Sequence, residues 1–139
     1  VLQPLRDYFL MPVYISSGYR SPELNVKIGG SKTSQHCKGQ AADIEIFGIG
    51  NKELADWIAD NCEYDQLILE FHNEEDLNSG WVHVSYNEEN NRKQYKRADK
   101  NDDGMVEYTF VWQWVEARWD NKSLNHHKKE SGQEKEKLV

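Results

Sequence analysis

Cysteine is scarce in this sequence, which contains only Cys37 and Cys62 among its 139 residues. Two cysteines are too few for a disulfide scaffold, and no Cys-x-x-Cys pair of the zinc-finger type is present. Cys37 directly follows His36, which invites interpretation as a metal ligand, but we favour a small packed thiol. A chain of this length can instead bury the core of one domain.

Long apolar runs are missing as well. No run approaches the roughly 20 residues that a membrane-spanning helix needs, and apolar residues make up only 37% of the chain. Five tryptophans, seven tyrosines and four phenylalanines compensate, because large aromatic side chains bury much area per residue. We therefore expect a globular domain without a membrane span.

The chain also lacks an excess of positive charge. The net charge is −7, so general affinity for nucleic acid or for an anionic membrane is not expected. The sequence begins with Val1 and has no export signal at its start. We interpret it as a processed or cut fragment, so the missing signal says little about its compartment.

Hydrophobic periodicity predicts an α+β domain with a small, mostly antiparallel sheet and flanking helices. Asp65–Phe71 and Trp81–Tyr86 are predicted strands joined by a loop, and an antiparallel hairpin there would set Glu70 near His83. The other predicted elements are helices at 1–10, from Ser21 to Gly29 and from a capping Asn51 to Asn61, and strands at 13–17 and 41–47.

The segment from Arg92 to Val111 has two interpretations. Asp103-Gly104 lies between two extended runs, which is typical of a β-hairpin turn. Asp99, Asn101 and Asp103 also match the first half of a calcium loop. Its twelfth position would be Phe110, where an EF-hand requires a bidentate glutamate. We favour the plain turn over calcium.

The last part of the chain divides into two predicted segments. Trp112, Val115 and Trp119 have helical spacing and predict a closing helix. From residue 121 the chain is polar and highly charged, which is typical of disorder. We therefore expect a domain over residues 1–120 and a disordered charged tail over residues 121–139.

Candidate metal ligands occur at His36, Asp43 and His83. Two imidazoles and a carboxylate leave a fourth position open on zinc, as in catalytic rather than structural sites. Taken alone, the pattern is a weak signal. Asp43 also suits a capping residue beside a surface histidine, and His83 suits a hydrogen-bonded core histidine in an apolar strand.

The surrounding residues strengthen the signal. Ser34-x-His36-x-x-Gly39-x-Ala41-x-Asp43, together with Trp81-Val-His83-Val-Ser, resembles the zinc D-Ala-D-Ala carboxypeptidase family of murein peptidases, peptidase family M15. The similarity is to the subgroup common in phage and bacterial enzymes. That family belongs to a wider group with lysostaphin-type peptidases and the hedgehog signalling domain. Ser17-Gly-Tyr-Arg20-Ser also resembles the arginine motif of the family.

The resemblance implies a hedgehog/DD-peptidase-like fold and one zinc ion per chain, held by His36, Asp43 and His83. It also implies a general base beside the metal, for which we predict Glu70. His72 is the second candidate, because strand alternation would put it on the same face. Some family members carry a histidine or a glutamate just before the last ligand, where this chain has Trp81 and Gly80.

Three further residues are expected to serve the substrate. The resemblance places Arg20 near the metal, where its guanidinium could bind a carbonyl or a terminal carboxylate and stabilise the developing oxyanion. Ser34 is expected to make a hydrogen bond that orients a ligand and to border the substrate. Trp81 is predicted either to line the substrate cleft or simply to pack.

The expected function is therefore zinc-dependent hydrolysis of a peptide bond in peptidoglycan stem peptides, by a carboxypeptidase or by an endolysin-type endopeptidase. The expected partners are peptidoglycan peptides, and we expect a monomer. Such an enzyme acts on the cell wall, in the periplasm, outside the cell, or as a phage product released on lysis. The alternative is a non-catalytic zinc-containing module of the same fold that binds cell wall or protein.

Overall fold

The computed structural model describes residues 1–111. The predicted helix at Trp112–Trp119 and the tail at 121–139 lie outside these described residues. The helices are α1 (Leu2–Phe9), α2 (Pro22–Lys27) and α3 (Asn51–Asn61), with a short 3₁₀ helix at Gln35–Lys38. The strands are β1 (Tyr14–Ser17), β2 (Ala41–Glu45), β3 (Gln66–Glu70), β4 (Trp81–Ser85), β5 (Gln94–Lys100) and β6 (Val106–Phe110).

All six strands form one sheet in the order β1-β2-β4-β3-β5-β6. The β3 and β5 strands run parallel, and every other neighbouring pair runs antiparallel. The predicted α+β class with a mostly antiparallel sheet is confirmed. The predicted hairpin between β3 and β4 is confirmed too, with Ile68 opposite His83 and Glu70 opposite Trp81.

One face of the sheet carries the hydrophobic core. Side chains alternate along a strand, so Ile44, Leu67 and Val82 all lie on this face and are fully buried. Leu54 and Ile58 of α3 and Leu5 of α1 belong to the same cluster. Burying each such side chain stabilises the fold by about 1.5–3 kcal/mol.

The opposite face carries the polar groups. A row of directly paired residues crosses five strands, from Asp43 through His83, Ile68 and Lys96 to Phe110. Because cross-strand partners point to the same side of a sheet, both strand-borne candidate ligands lie on the face away from the core.

A second row lies beside the first on the same face. It runs from Trp81 through Glu70 and Ala98 to Tyr108. Glu70 is therefore a diagonal neighbour of His83, and such pairs lie about 7–8 Å apart. The hairpin thus brings a carboxylate to the edge of the candidate metal site.

The start of α3 differs from the prediction. Gly50 is the N-cap, and Asn51 is the first helical residue, only 1% exposed. The Asn51 amide Nδ2 donates to the carbonyls of Asn78, Ser79 and Gly80 at 3.1–3.2 Å. Asn51 therefore holds the loop that leads into β4 instead of capping its own helix, because these carbonyls need a buried donor.

The Asp103-Gly104 segment is a turn between two strands, which confirms the hairpin prediction. Asp99 pairs with Glu107 in the β5–β6 ladder, and the Asn101 side chain accepts from the backbone N–H groups of Asp103 and Met105. An EF-hand requires helices at these flanks. Within residues 1–111, no helix has the length and apolarity needed to cross a membrane.

Candidate metal site and substrate groove

Three potential ligand atoms converge at the centre of the polar face. The Nε2 atom of His36 lies 3.2 Å from Nδ1 of His83 and 3.2 Å from Oδ1 of Asp43. The Nδ1 atom of His83 lies 2.9 Å from the same carboxylate oxygen. His36, Asp43 and His83 are only 2%, 7% and 9% exposed, in that order. The three side chains are therefore largely shielded from water.

Local structure explains how residues that are distant in the sequence meet here. Asp43 and His83 are direct cross-strand partners on β2 and β4. His36 lies on the 3₁₀ helix, where the Ser34 side chain accepts from the His36 backbone N–H. Gly39 then reverses the chain with φ +67, a left-handed conformation that suits glycine. This turn returns the chain from His36 to Asp43.

The backbone sets which nitrogen of His36 faces the cluster. Nδ1 of His36 lies 2.7 Å from the carbonyl oxygen of Gly18. A carbonyl can only accept, so Nδ1 carries a hydrogen, and Nε2 is the ring nitrogen that faces Asp43 and His83. Metal-binding histidines are commonly oriented by such a second hydrogen bond.

Arg20 holds the other side of the Asp43 carboxylate. Its Nη2 donates to Oδ2 of Asp43 at 3.1 Å, which leaves Oδ1 directed at the histidines. Nε donates to Ser17 at 2.9 Å and Nη1 to Asn25 at 3.4 Å. Three of the five guanidinium N–H groups therefore have protein partners, and two remain.

The electrostatics keep Asp43 ionised. Burial opposes the charged form, but hydrogen bonds to His36 and His83 and their positive potential outweigh it. They hold the pKa of Asp43 well below its usual range. An ionised carboxylate is what a metal ligand requires, because protons and metals compete for the same lone pairs.

The cluster fits a zinc ion. Nitrogen and oxygen ligands at about 2.0–2.1 Å around tetrahedral zinc would lie about 3.3 Å from one another. The observed separations of 2.9–3.2 Å need only small outward shifts. A search of residues 1–111 for clustered histidine, cysteine and carboxylate side chains finds this group, whose ligand atoms all lie within 4.8 Å of one another.

Glu70 is the carboxylate beside this cluster. Burial raises the pKa of the Glu70 carboxyl above its ordinary value, the charge of Asp43 adds to this, and the positive potential of His83 and His36 acts against it. A glutamate with a raised pKa is better matched to proton transfer near neutral pH. The position of Glu70 and its electrostatic environment therefore agree with the role of a general base.

Trp81 stands opposite Glu70 in the ladder. Its indole lies near the Glu70 carboxylate. The buried Nε1 atom, however, makes no hydrogen bond with any described residue. The ring packs edge-on against Phe71, with centroids 5.4 Å apart. Trp81 was predicted either to line the substrate cleft or to pack. The contact with Phe71 is a packing contact, and Trp81 is not among the residues that line the groove described below.

The position before Trp81 has no room for a side chain. Gly80 has φ +67, and a Cβ atom there would overlap the carbonyl oxygen of Glu70. A glutamate at this position, as some family members carry, is therefore incompatible with this backbone. The charges of all three candidate ligands act on the Glu70 carboxylate.

His72 lies beyond the end of β3, so strand alternation does not place it on the face of Glu70. The β3 strand ends at Glu70, and Phe71 takes φ +52, which breaks the strand geometry. The buried His72 ring instead lies under the following loop, with Nδ1 3.4 Å from the Ser79 carbonyl and Nε2 3.8 Å from Glu74. These contacts lie away from the three-ligand cluster.

An open groove of about 590 Å³ leads to the cluster. His83 is the candidate ligand that lines this groove, together with Ile68 of β3 and with Ser34 and Gln35 at the start of the 3₁₀ helix. The predicted position of Ser34 beside a substrate therefore agrees with the groove. The far wall comes from β5 and β6 through Lys96 and Tyr108.

Several contributing residues were not predicted from the sequence. Asn25 is 3% exposed and links Arg20 to the Ser31 carbonyl, to which its Nδ2 donates at 2.8 Å. Asp65 is 2% exposed and accepts from Gln35 Nε2 at 2.8 Å. A polar residue in a short helix or at a strand start gives no periodic signal, so only the close packing of distant segments reveals these roles.

An α+β domain that presents two imidazoles and a carboxylate to one point, with a second carboxylate beside them, has the features of the metallopeptidase class. Residues 1–85 match the family model described as Peptidase M15. The match covers more than half of the chain, so the chain belongs to this peptidase family, as the sequence motifs predicted. No curated protein matches the sequence.

Proposed function

We propose that this protein is a zinc-dependent peptidase that hydrolyses peptide bonds in peptidoglycan stem peptides. The observation that carries the proposal is the convergence of His36 Nε2, Asp43 Oδ1 and His83 Nδ1 within 3.2 Å of one another. The three residues would hold one zinc ion and leave a position open toward the groove. Such a set is typical of catalytic zinc.

A zinc ion held by these residues would supply a Lewis acid for the scissile carbonyl and would lower the pKa of the attacking water. The protein supplies the proton transfers. Glu70 accepts a proton from the attacking water on its carboxylate and returns it to the amine that leaves. Arg20 keeps Oδ1 of Asp43 directed at the cluster, and its two remaining N–H groups can bind a substrate oxygen.

The murein substrate is proposed on the resemblance of the Ser34–Asp43 and Trp81–Ser85 motifs to the zinc D-Ala-D-Ala carboxypeptidases. The open groove is compatible with an extended peptide, because its wall runs from the 3₁₀ helix across to β6. A carboxypeptidase would bind a free terminal carboxylate in this groove. An endopeptidase would let the peptide continue through it.

The test is hydrolysis of purified sacculi by the zinc-loaded protein, with and without a chelator, followed by mass analysis of the products. We expect soluble muropeptides that disappear when zinc is chelated. The mass of the products identifies the bond that is cleaved. Intact sacculi under zinc-loaded conditions would contradict the proposal.

A pair of matched variants separates enzyme from binding module. The Glu70→Gln variant should retain stoichiometric zinc but lose at least about 100-fold in kcat, since general-base catalysis contributes 10²–10⁴-fold. The control Glu23→Gln removes the same charge from the exposed surface of α2 and should retain full activity. If both variants bind and release murein like the wild type, without hydrolysis, the domain is a binding module.

A further inference from the structure

The groove beside the metal cluster has a different charge from the rest of the chain. The sequence carries a net charge of −7, yet three cations border the groove, namely Lys38, Arg92 and Lys96. Asp65 is the carboxylate on the groove wall. The local excess of positive charge indicates a ligand that carries negative charge.

The charge of Arg92 is already paired with a carboxylate of the protein. Its Nε and Nη2 donate to the two oxygens of Asp65 at 2.8 and 2.6 Å, and its backbone N–H donates to the same carboxylate at 3.0 Å. This pair neutralises Asp65. Lys38 and Lys96 also line the groove, and by contrast neither forms an ion pair with any residue in the described range 1–111.

The strand register places Lys96 relative to the metal site. Lys96 is opposite Ile68, which is opposite His83, in one row across β5, β3 and β4. Neighbouring strands lie about 4.8 Å apart, so Lys96 stands about 10 Å from His83 along the sheet. Ile68 between them forms an apolar floor that is 8% exposed.

The Lys96 ammonium is also held in place. It lies 4.9 Å from the centroid of the Phe110 ring, a cation–π arrangement that limits its conformations. The lysine is half-buried in the strand rather than at its end. A partly ordered ammonium on a groove wall loses less entropy on binding an anion than a freely rotating surface lysine does.

We propose that Lys96, together with Lys38, forms a carboxylate-binding subsite of the groove and determines a preference for anionic peptides. The inference rests on the proposed peptidase function. An extended peptide advances about 3.3 Å per residue, so a distance of about 10 Å places the recognised carboxylate about three residues from the scissile bond. Lys96 lies outside residues 1–85, the segment that matches the family model.

The test uses two synthetic stem pentapeptides that differ in one group. Both end in D-Ala-D-Ala, and the γ-linked D-glutamyl residue carries either a free α-carboxylate or a carboxamide. The wild-type zinc protein should cleave the carboxylate form with a kcat/KM about fivefold higher, the range of a partly exposed ion pair. Lys96→Gln should reduce this ratio to near one, Lys96→Arg should retain it, and Lys27→Gln, which removes a charge outside the groove, should leave it unchanged.

Binding measurements keep the subsite and the peptidase function distinguishable. Titration calorimetry of both peptides with the zinc-loaded Glu70→Gln variant, with and without Lys96→Gln, should show the same carboxylate preference and its loss. A preference that depends on Lys96, when the wild-type zinc protein cleaves neither the pentapeptides nor sacculi, would support the subsite and contradict the peptidase function. Cleavage or binding with equal preference in wild type and Lys96→Gln would overturn the subsite.

Discussion

Arg20 shows how one side chain orients a candidate metal ligand, Asp43. Its guanidinium has Ser17, Asn25 and Asp43 as partners on three separate nitrogen atoms, and the side chain is 15% exposed. A guanidinium with three fixed contacts cannot swing toward a substrate without releasing Asp43. We therefore assign Arg20 a positioning role in addition to the predicted contact with substrate.

Arg20→Gln should weaken zinc binding about 10–100-fold, the range found when partners of metal ligands are removed. The physical reason is that Oδ2 of Asp43 loses its donor and the carboxylate can rotate away from the histidines. The measurement is zinc affinity by competition with a chromogenic chelator. Arg6→Gln on the exposed side of α1 is the control and should bind zinc like the wild type.

A different result would reassign the residue. If Arg20→Gln binds zinc with unchanged affinity but raises KM for a stem peptide, Arg20 contacts the substrate only. A fall in zinc affinity with an unchanged fold by circular dichroism would support the positioning role.

The connection between β3 and β4 depends on close backbone packing. Phe71 takes φ +52 where β3 ends, and Gly80 takes φ +67 where β4 begins. The backbone at Gly80 packs directly against the Glu70 carbonyl. The Asn51 side-chain amide donates a hydrogen bond to the Gly80 carbonyl. The proposed base Glu70 and strand β4, which carries the candidate ligand His83, are thus held together at a position that only glycine can occupy.

Gly80→Ala should destabilise the protein by about 3 kcal/mol or more, because the new Cβ adds a backbone overlap to an unfavourable φ. Gly104→Ala is the matched control. It has a similar φ of +77 in the other hairpin connection but no atom within 4 Å of a new Cβ. We expect a cost of only about 1 kcal/mol there, and urea unfolding of both variants measures the difference. Equal destabilisation would mean that conformation alone, and not the close approach to Glu70, requires glycine.

Asp65 connects three distant segments of the molecule. It lies just before β3, accepts from Gln35 next to the candidate ligand His36, and pairs with Arg92 ahead of β5. The hydrogen bonds from Arg92 hold the pKa of Asp65 well below its usual range, although burial acts in the opposite direction. The cluster thereby links the metal site, the hairpin and the outer wall of the groove.

Asp65→Asn should destabilise the protein by about 1–3 kcal/mol at pH 7, since charged hydrogen bonds are lost from a buried position. Because the pKa of Asp65 is lower in the folded state, its contribution is fully present above the unfolded value of about 3.9. It is lost as the pH falls through the folded pKa. The difference between wild type and variant should therefore shrink below about pH 4.

Urea unfolding of both proteins from pH 7 to pH 2.5 measures this difference. Asp102→Asn, in the exposed β5–β6 turn, is the control and should follow the wild type at every pH. A wild-type advantage over Asp65→Asn that stays constant down to pH 2.5 would contradict the pairing of an ionised Asp65 with Arg92.

The prediction for His72 shows where sequence reasoning reached its limit. Alternation of side chains holds only while the strand continues, and the positive φ of Phe71 ends it one residue too early. The prediction for Asn51 had a related limit. An asparagine before a helical run resembles a cap in sequence, but its side chain instead meets three carbonyls that come from about 27 to 29 residues further along the chain.

Sequence alone was sufficient for the α+β class, the β3–β4 and β5–β6 hairpins and the family, because these depend on local periodicity, turn residues and short motifs. Only the tertiary structure decided which atoms meet. Asp43 and His83, 40 residues apart, meet because β2 and β4 pair in a single register, and Lys96 reaches the groove because β5 joins β3 in parallel. A register is a long-range choice made by the whole sheet, since a shift of one residue would turn every one of these side chains to the opposite face.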